Sequence, residues 1–339
     1  RGLRVADASV FPDSPTAHTD GPSRLVGEMA ARFVLDDVYR ATHGDDCIGR
    51  TDAVQLHGYR GACQPLVGFG TNGVRGERAV QLLLHFIREG GRMIDTAALY
   101  ENHREVREAI QRSGVPRQDM FVVTKLPPRD MGFDEAGVAI ERTVAELGSP
   151  ADLLLIHWPS NFDPAAAAPT CAQPPSGSWR RCRSETWAAM ERAHHAGLAR
   201  ALGVSNFGVR HLRELLDKPR RALPVALNQV EFHPWWPQPE LHRFCARRRI
   251  RLMAYGSTGG SLTGGMMLRA PAVESVAMAR GRSPAQVLLR WAVQQGVVVI
   301  PSTSSESRIA ENLDLTGWAL EAADMRTLSA AATRDDRMR

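Results

Sequence analysis

The strongest constraint on this chain is an alternation. From about residue 55 onward, short apolar runs rich in β-branched residues are separated by longer stretches of helical periodicity. The runs are Leu66–Phe69, Arg92–Asp95, Met120–Thr124, Asp152–His157, Ala201–Val204, Ala226–Glu231, Arg251–Tyr255 and Val297–Ile300. Between them, helices are predicted over Glu77–Glu89, Asn102–Arg112, Asp134–Leu147, Ser184–Ala196 and Ser283–Gln294. The last opens with Ser283-Pro284, a capping residue followed by proline in the first turn. Strands that alternate with helices predict a parallel sheet. Eight such units predict closure into a TIM-type (β/α)8 barrel of the α/β class, a single domain of about 250 residues. The division expected is an N-terminal extension of unknown role over residues 1–54, a barrel over 55–333, and a tail over 334–339.

Composition narrows the function. With 43% hydrophobic and 23% charged residues in 339, there is ample material for a globular core. No run of about 18 apolar residues exists, so no membrane span is expected. The net charge of +5 comes from scattered arginines. Their one dense cluster, Arg247–Arg249 with Arg251, reads as a solvated helix end rather than a phosphate track, and no nucleic-acid partner is expected. The basic balance suits an anionic cofactor. Five cysteines, odd in number and without a C-x-x-C pair, argue against a disulfide framework or a zinc site and for a reducing, cytoplasmic setting. A single bridge between Cys171 and Cys182, which share one loop, stays open.

Two segments stand outside the rhythm. Within the extension, Leu25, Met29 and Phe33 lie four apart, which predicts an amphipathic helix over Leu25–Tyr39. Its many acidic residues argue against a transit peptide, and it has no apolar signal core. The chain does not begin with Met, so a processed or truncated start stays open. Residues 158–183 carry several prolines and an alanine run without periodicity, and a connection of that length is expected to be functional or disordered.

One motif points elsewhere. Gly68, Gly70 and Gly73 spell G-x-G-x-x-G between a strand and a helix, with Asp95 22 residues further on. That is the pattern of a dinucleotide-binding Rossmann unit. Against it stands the recurrence of polar residues after nearly every strand, where a Rossmann unit leaves catalysis to another domain. The alternative for the glycines is a tight turn that lets a ligand approach the backbone.

Those polar residues are the main functional signal. Asp95 closes the second predicted strand, with Tyr100 just beyond; Lys125 closes the third and His157 the fourth. Ser205 and Asn206 follow the fifth, Gln229 lies in the sixth, Tyr255 closes the seventh, and Arg308 comes shortly after the eighth. In a barrel these ends share one face, where active sites are built.

The stretches MIDTAALYEN, FVVTKL, LLIHWP, GVSNF, NQVEFHP, MAYG and IPSTSSESRIAEN, in this order, resemble those of the aldo-keto reductase family. The resemblance implies reduction of a small-molecule carbonyl by NADPH, without a metal, on a barrel. It implies a catalytic set of Tyr100, Asp95, Lys125 and His157. Tyr100 would give a proton to the oxygen where hydride delivery builds negative charge. A free tyrosine has a pKa of about 10, and Lys125 is expected to lower it. Asp95 would hold the lysine, and His157, as a neutral ring, would orient the carbonyl.

Cofactor contacts are implied residue by residue. Ser205, Asn206 and Gln229 would bond the carboxamide, and Tyr255 would stack on the nicotinamide ring. Gly256 and Ser257, in a run of small residues to Ser261, would pass along the pyrophosphate. Thr71, Ser302 and Thr303 also fall at cofactor positions. Arg308 would grip the 2′-phosphate, and Glu311 and Asn312 would meet the adenine.

There are departures from the family pattern. Ser302 stands where a lysine is usual, which removes a charged contact worth about 1.5–3 kcal/mol, or roughly 10- to 100-fold in affinity. NADPH is therefore expected to be favoured, with NADH use left open. Asn72 stands where many relatives carry a pocket tryptophan; Trp158 is expected to line the substrate pocket, while Trp235 and Trp236 serve either as walls or as packing. The chain ends at Arg339, so the long C-terminal loop of many relatives is expected to be short or absent. A monomer is expected. The alternative function is a catalytically slow NADP-binding regulator or sensor of the same fold.

Overall fold

The computed structural model describes residues 53–59, 62–161, 169–173, 177–217, 223–259, 263 and 265–330. The helix expected over Leu25–Tyr39 and the tail 334–339 lie outside the described residues, as do parts of the 158–183 connection.

A hairpin comes first, β1 (Ala53–Gln55) pairing antiparallel with β2 (Cys63–Pro65). Eight parallel strands follow: β3 (Phe69–Gly70), β4 (Met93–Asp95), β5 (Phe121–Leu126), β6 (Ala151–Ile156), β7 (Ala199–Ser205), β8 (Leu227–Glu231), β9 (Arg251–Tyr255) and β10 (Val298–Val299). They are neighbours in sequence order from β3 to β10. The ring closes because Val67 bridges Val299 in parallel, with Gly68 N–H donating to Val299 O at 2.9 Å and Gly70 N–H to Pro301 O at 3.0 Å. Every strand of the predicted rhythm is present, and the rival six-stranded open sheet is excluded. Among the described residues no helix is long and apolar enough to cross a membrane.

The seam explains the glycine motif. A Cβ on Gly70 would sit 2.9 Å from the Ile300 carbonyl oxygen, and one on Gly68 2.6 Å from Met93 Cε. Gly73 turns at φ +83°. The first two glycines let the first strand pass close to its neighbours and close the ring, and the third makes the turn into the helix that follows.

Strands β4, β5 and β6 are buried at every position, as parallel strands covered on both faces must be. Around them lie α1 (Gly76–Arg88), α2 (His103–Ser113), α3 (Phe133–Leu147), α4 (Trp179–His195), α5 (Val209–Leu216), α6 (Pro239–Arg247), α7 (Pro271–Arg280), α8 (Pro284–Val293), α9 (Ser307–Leu313) and α10 (Ala322–Ala330). The start of α8 follows the sequence cue, with Ser283 and Gln286 capping each other reciprocally. The hairpin was not foreseen. Its turn buries Leu56 and Tyr59, Tyr59 Oη donates to Pro224 O at 2.7 Å, and Gln64 is fully buried between the Met93 and Met253 sulfurs.

Two expectations are corrected in the long connection. Helix α4 begins at Trp179 rather than Ser184, because Ser178 Oγ accepts from Arg181 N–H and caps an earlier turn. Cys171 and Cys182 form a disulfide between the connection and the first turn of α4, and Cys63 is disulfide-bonded as well. A bridge closing 11 residues stabilises by about 3 kcal/mol. The cysteine pattern therefore no longer argues for a reducing compartment. The odd count misled because pairing needs proximity in the fold, which spacing in sequence does not reveal.

Candidate active site

The ends of β4 and of β6 to β10 converge on one cavity of about 740 Å³, within the range of roughly 300–1,000 Å³ for ligand sites. Asp95, Tyr100, His157, Ser205, Asn206, Gln229, Tyr255, Gly256, Ser257, Ser302, Asn72 and Trp158 all line it.

At its base lies Lys125, fully buried. Its ammonium donates to Asp95 Oδ1 at 2.6 Å, to Thr96 O at 2.9 Å and to the Tyr100 phenol oxygen at 3.2 Å. Three donors meet three acceptors. The phenol oxygen receives a proton bond from the lysine, so the phenol's own hydrogen is left to face the cavity. Burial alone would discharge the lysine, but the Asp95 carboxylate and Tyr100 outweigh it and hold the ammonium charged.

Tyr100 itself departs from expectation. Burial pushes its phenol above the ordinary range and the Asp95 charge adds to that, against the pull of Lys125. The pull of the lysine does not prevail because burial outweighs it, and the Asp95 charge beside it works in the same direction as burial. Tyr100 is thus a fully protonated acid at neutral pH rather than one poised for easy release.

His157 is buried, and burial together with Lys125 lowers its pKa to about 2. The ring is neutral, lies edge-on to Tyr100 with centroids 5.7 Å apart, and stacks with Trp158 at 6.4 Å. Its Nδ1 is buried without a hydrogen-bond partner among the described residues.

Asn102 is the residue that sequence reasoning missed. Read as a helix start, it makes no side-chain cap. Instead its amide nitrogen donates to Thr71 O and Val74 O, and its oxygen accepts from Thr96 Oγ1 at 2.6 Å. It ties the loops after β3 and β4 together and fixes the turn that carries Tyr100. A polar residue completely buried beside a catalytic motif was the available signal, but burial is visible only in the fold. Glu231, which lines the cavity and pairs with His233 at 2.9 Å, was also not singled out.

The expected cofactor positions are placed unevenly. Asn206, in the left-handed region at φ 63°, donates to His157 O and accepts from Tyr255 Oη at 2.8 Å. Gln229 gives one amide N–H to Asp95 Oδ2 at 2.6 Å, which leaves its oxygen and its second N–H for a ligand. Thr71 points away from the cavity, its hydroxyl on Asp95 O. Thr303 closes a local turn with Ser305. Glu311 accepts from Ser283, and Asn312 lies half-buried on α9. Arg308 is exposed and its guanidinium has no side-chain partner among the described residues. Gly260 and Ser261 lie outside the described residues.

A nicotinamide dinucleotide fits this set. Amide and hydroxyl groups gather at the strand ends, small residues Gly256–Gly259 form one wall, and an unpaired guanidinium stands at the far end. At Gly259, where φ is +90°, a Cβ would fall 2.4 Å from Thr263 Oγ1, so this position has no room for a side chain.

Comparison with known proteins agrees with this geometry. The model of the aldo/keto reductase family matches residues 66–333. A glyoxal reductase of Bacillus subtilis is 36% identical over 289 residues, covering 85% of this chain and 95% of its own length. A glycerol 2-dehydrogenase (NADP(+)) of Saccharomyces cerevisiae is 36% identical over 264 residues, covering 74% and 83%. The crystal structure of an aldo/keto reductase from Brucella melitensis superimposes with a TM-score of 0.71 at 31% identity, covering 82% of this chain and 98% of that one.

Proposed function

The chain belongs to the aldo/keto reductase family, and from that premise we propose that it reduces an aldehyde or ketone to the alcohol with NADPH, Tyr100 being the proton donor. The observation that carries this reading is the saturated Lys125 ammonium, whose bond to the phenol oxygen leaves the phenol hydrogen aimed into the cavity.

Bound nicotinamide supplies the hydride. Tyr100 Oη gives its proton to the carbonyl oxygen as charge builds there. The phenolate left behind is stabilised by Lys125, which Asp95 keeps charged and Gln229 helps to hold in line. His157, held neutral by burial and by Lys125, would orient the carbonyl oxygen from the side. A positioned acid of this kind contributes roughly 10²–10⁴-fold, and fixed donors at the developing oxyanion add to it.

Ser205, Asn206 and Gln229 would hold the carboxamide, with Tyr255 as the stacking ring. Gly256 and Ser257 would lie along the pyrophosphate, Ser302 and Arg308 at the 2′-phosphate, and Glu311 and Asn312 at the adenine. Thr71 and Thr303 support these loops from behind. Asn72 and Trp158 form the substrate wall. The relatives named for glyoxal and glycerol favour a small, oxygen-rich carbonyl. A monomer acting through the 55–333 barrel is proposed. A cytoplasmic setting is proposed on the need for reduced nicotinamide and not on the cysteines.

The test follows loss of NADPH absorbance, then NADH, against a panel holding glyoxal, dihydroxyacetone and aromatic aldehydes. Carbonyl-dependent oxidation supports the reading. Tight NADPH binding without reduction of any substrate favours a regulatory protein instead.

A further inference from the structure

The loop after β10 runs Ser302-Thr303-Ser304-Ser305-Glu306-Ser307-Arg308. It carries one cation, Arg308, and one acid two residues before it. A doubly charged phosphate there would meet a loop whose own charges cancel. A second cation reaches it from another element. Arg78, on α1, donates through Nη2 to Ser304 O at 2.6 Å and through Nη1 to Glu306 Oε1 at 2.8 Å. Both side chains are about half exposed, so the pair borders solvent and stays open to a ligand.

We propose that Arg78 is a specificity-determining residue for the phosphorylated cofactor. It neutralises Glu306 and restores to this loop the positive charge that Ser302 does not supply. The inference rests on the NADPH reading above. Two features favour electrostatics over mere anchoring. The carboxylate it covers is the only acidic side chain between Ser302 and Arg308. The guanidinium also bonds the loop's backbone, so its charge is held at the loop rather than spread over solvent. At surface dielectric, one charge several ångströms from a dianion shifts affinity by about 5- to 10-fold at low salt, and less as ionic strength rises.

Calorimetric binding of NADP⁺ and NAD⁺ tests this without turnover. Arg78→Ala is expected to weaken NADP⁺ by about 5- to 10-fold and to leave NAD⁺ nearly unchanged. Arg78→Lys keeps the charge but cannot make both bonds, and is expected to retain most of the discrimination. Glu306→Gln should tighten NADP⁺ alone. Equal loss for both cofactors in Arg78→Ala, or Arg78→Lys behaving as Arg78→Ala does, would make Arg78 a loop anchor and overturn the proposal. Arg308→Ala separates the two levels. If it lowers the NADP⁺ preference while Arg78→Ala does not, only the role of Arg78 fails. If neither changes the preference, the 2′-phosphate reading fails as well.

Discussion

The two ends of the cavity are built on opposite plans. At the catalytic end, Lys125, Asp95, Asn102 and Thr96 are buried and bonded to one another, with each lysine donor matched. At the far end, Ser302 and Arg308 are exposed, and the guanidinium has no side-chain partner among the described residues. A buried network fails if one member is removed, because its partners are left desolvated and unpaired. An exposed loop exchanges one side chain for another at modest cost. On the proposed function, the chemistry would rest on this buried network and the choice of cofactor on a few surface charges.

The contrast can be broken by substitution. The largest effect is expected at Lys125→Met, which leaves Asp95 buried without its counter-ion. Urea unfolding should show a loss of about 3–5 kcal/mol, and turnover should vanish with it. A loss under 1 kcal/mol would mean that Asp95 is not held as an ion. The next largest is Arg308→Ala, with NADPH binding weakened roughly 10- to 100-fold and the fold unaffected. Comparable damage to NADH binding, or to stability, would erase the distinction between the two ends.

A smaller effect sharpens the contrast through pH. The pKa of His157 is lowered from 6.5 to about 2 by burial and Lys125. Below the unfolded value the unfolded chain takes up a proton that the folded chain refuses, so stability is full above pH 6.5 and falls as pH drops. From about pH 6.5 to 4.5 the loss due to His157 is about 2 kcal/mol. His157→Gln should unfold with that much less acid sensitivity; equal sensitivity in both proteins would place the histidine in water. By the same shift, the rate of reduction should show no histidine limb near pH 6.5.

What was legible in the sequence follows the same division. Strand order and the polar strand ends could be read because apolar runs and motif residues are local signals: Asp95, Tyr100 and His157 line one cavity, and Lys125 is bonded to Asp95 and Tyr100. What was missed depends on distant partners. The glycines of the apparent Rossmann motif answer to Ile300 O across the barrel seam and to Met93. Asn102 acts on carbonyls some thirty residues back along the chain. The upward shift of Tyr100 comes from burial, and the bridge from Cys171 to Cys182 from a helix that starts a turn early. Arg78 could not be paired with Glu306 by any spacing rule.

The central claim is that the Tyr100 phenol hydrogen, directed by Lys125, is the proton delivered to substrate. Tyr100→Phe keeps the ring and removes only that hydrogen and its oxygen. Steady-state reduction of a good aldehyde, measured beside NADPH binding by tryptophan quenching, should fall by roughly 10²–10⁴-fold while the cofactor affinity is unchanged. Turnover near that of the unaltered protein would contradict the account.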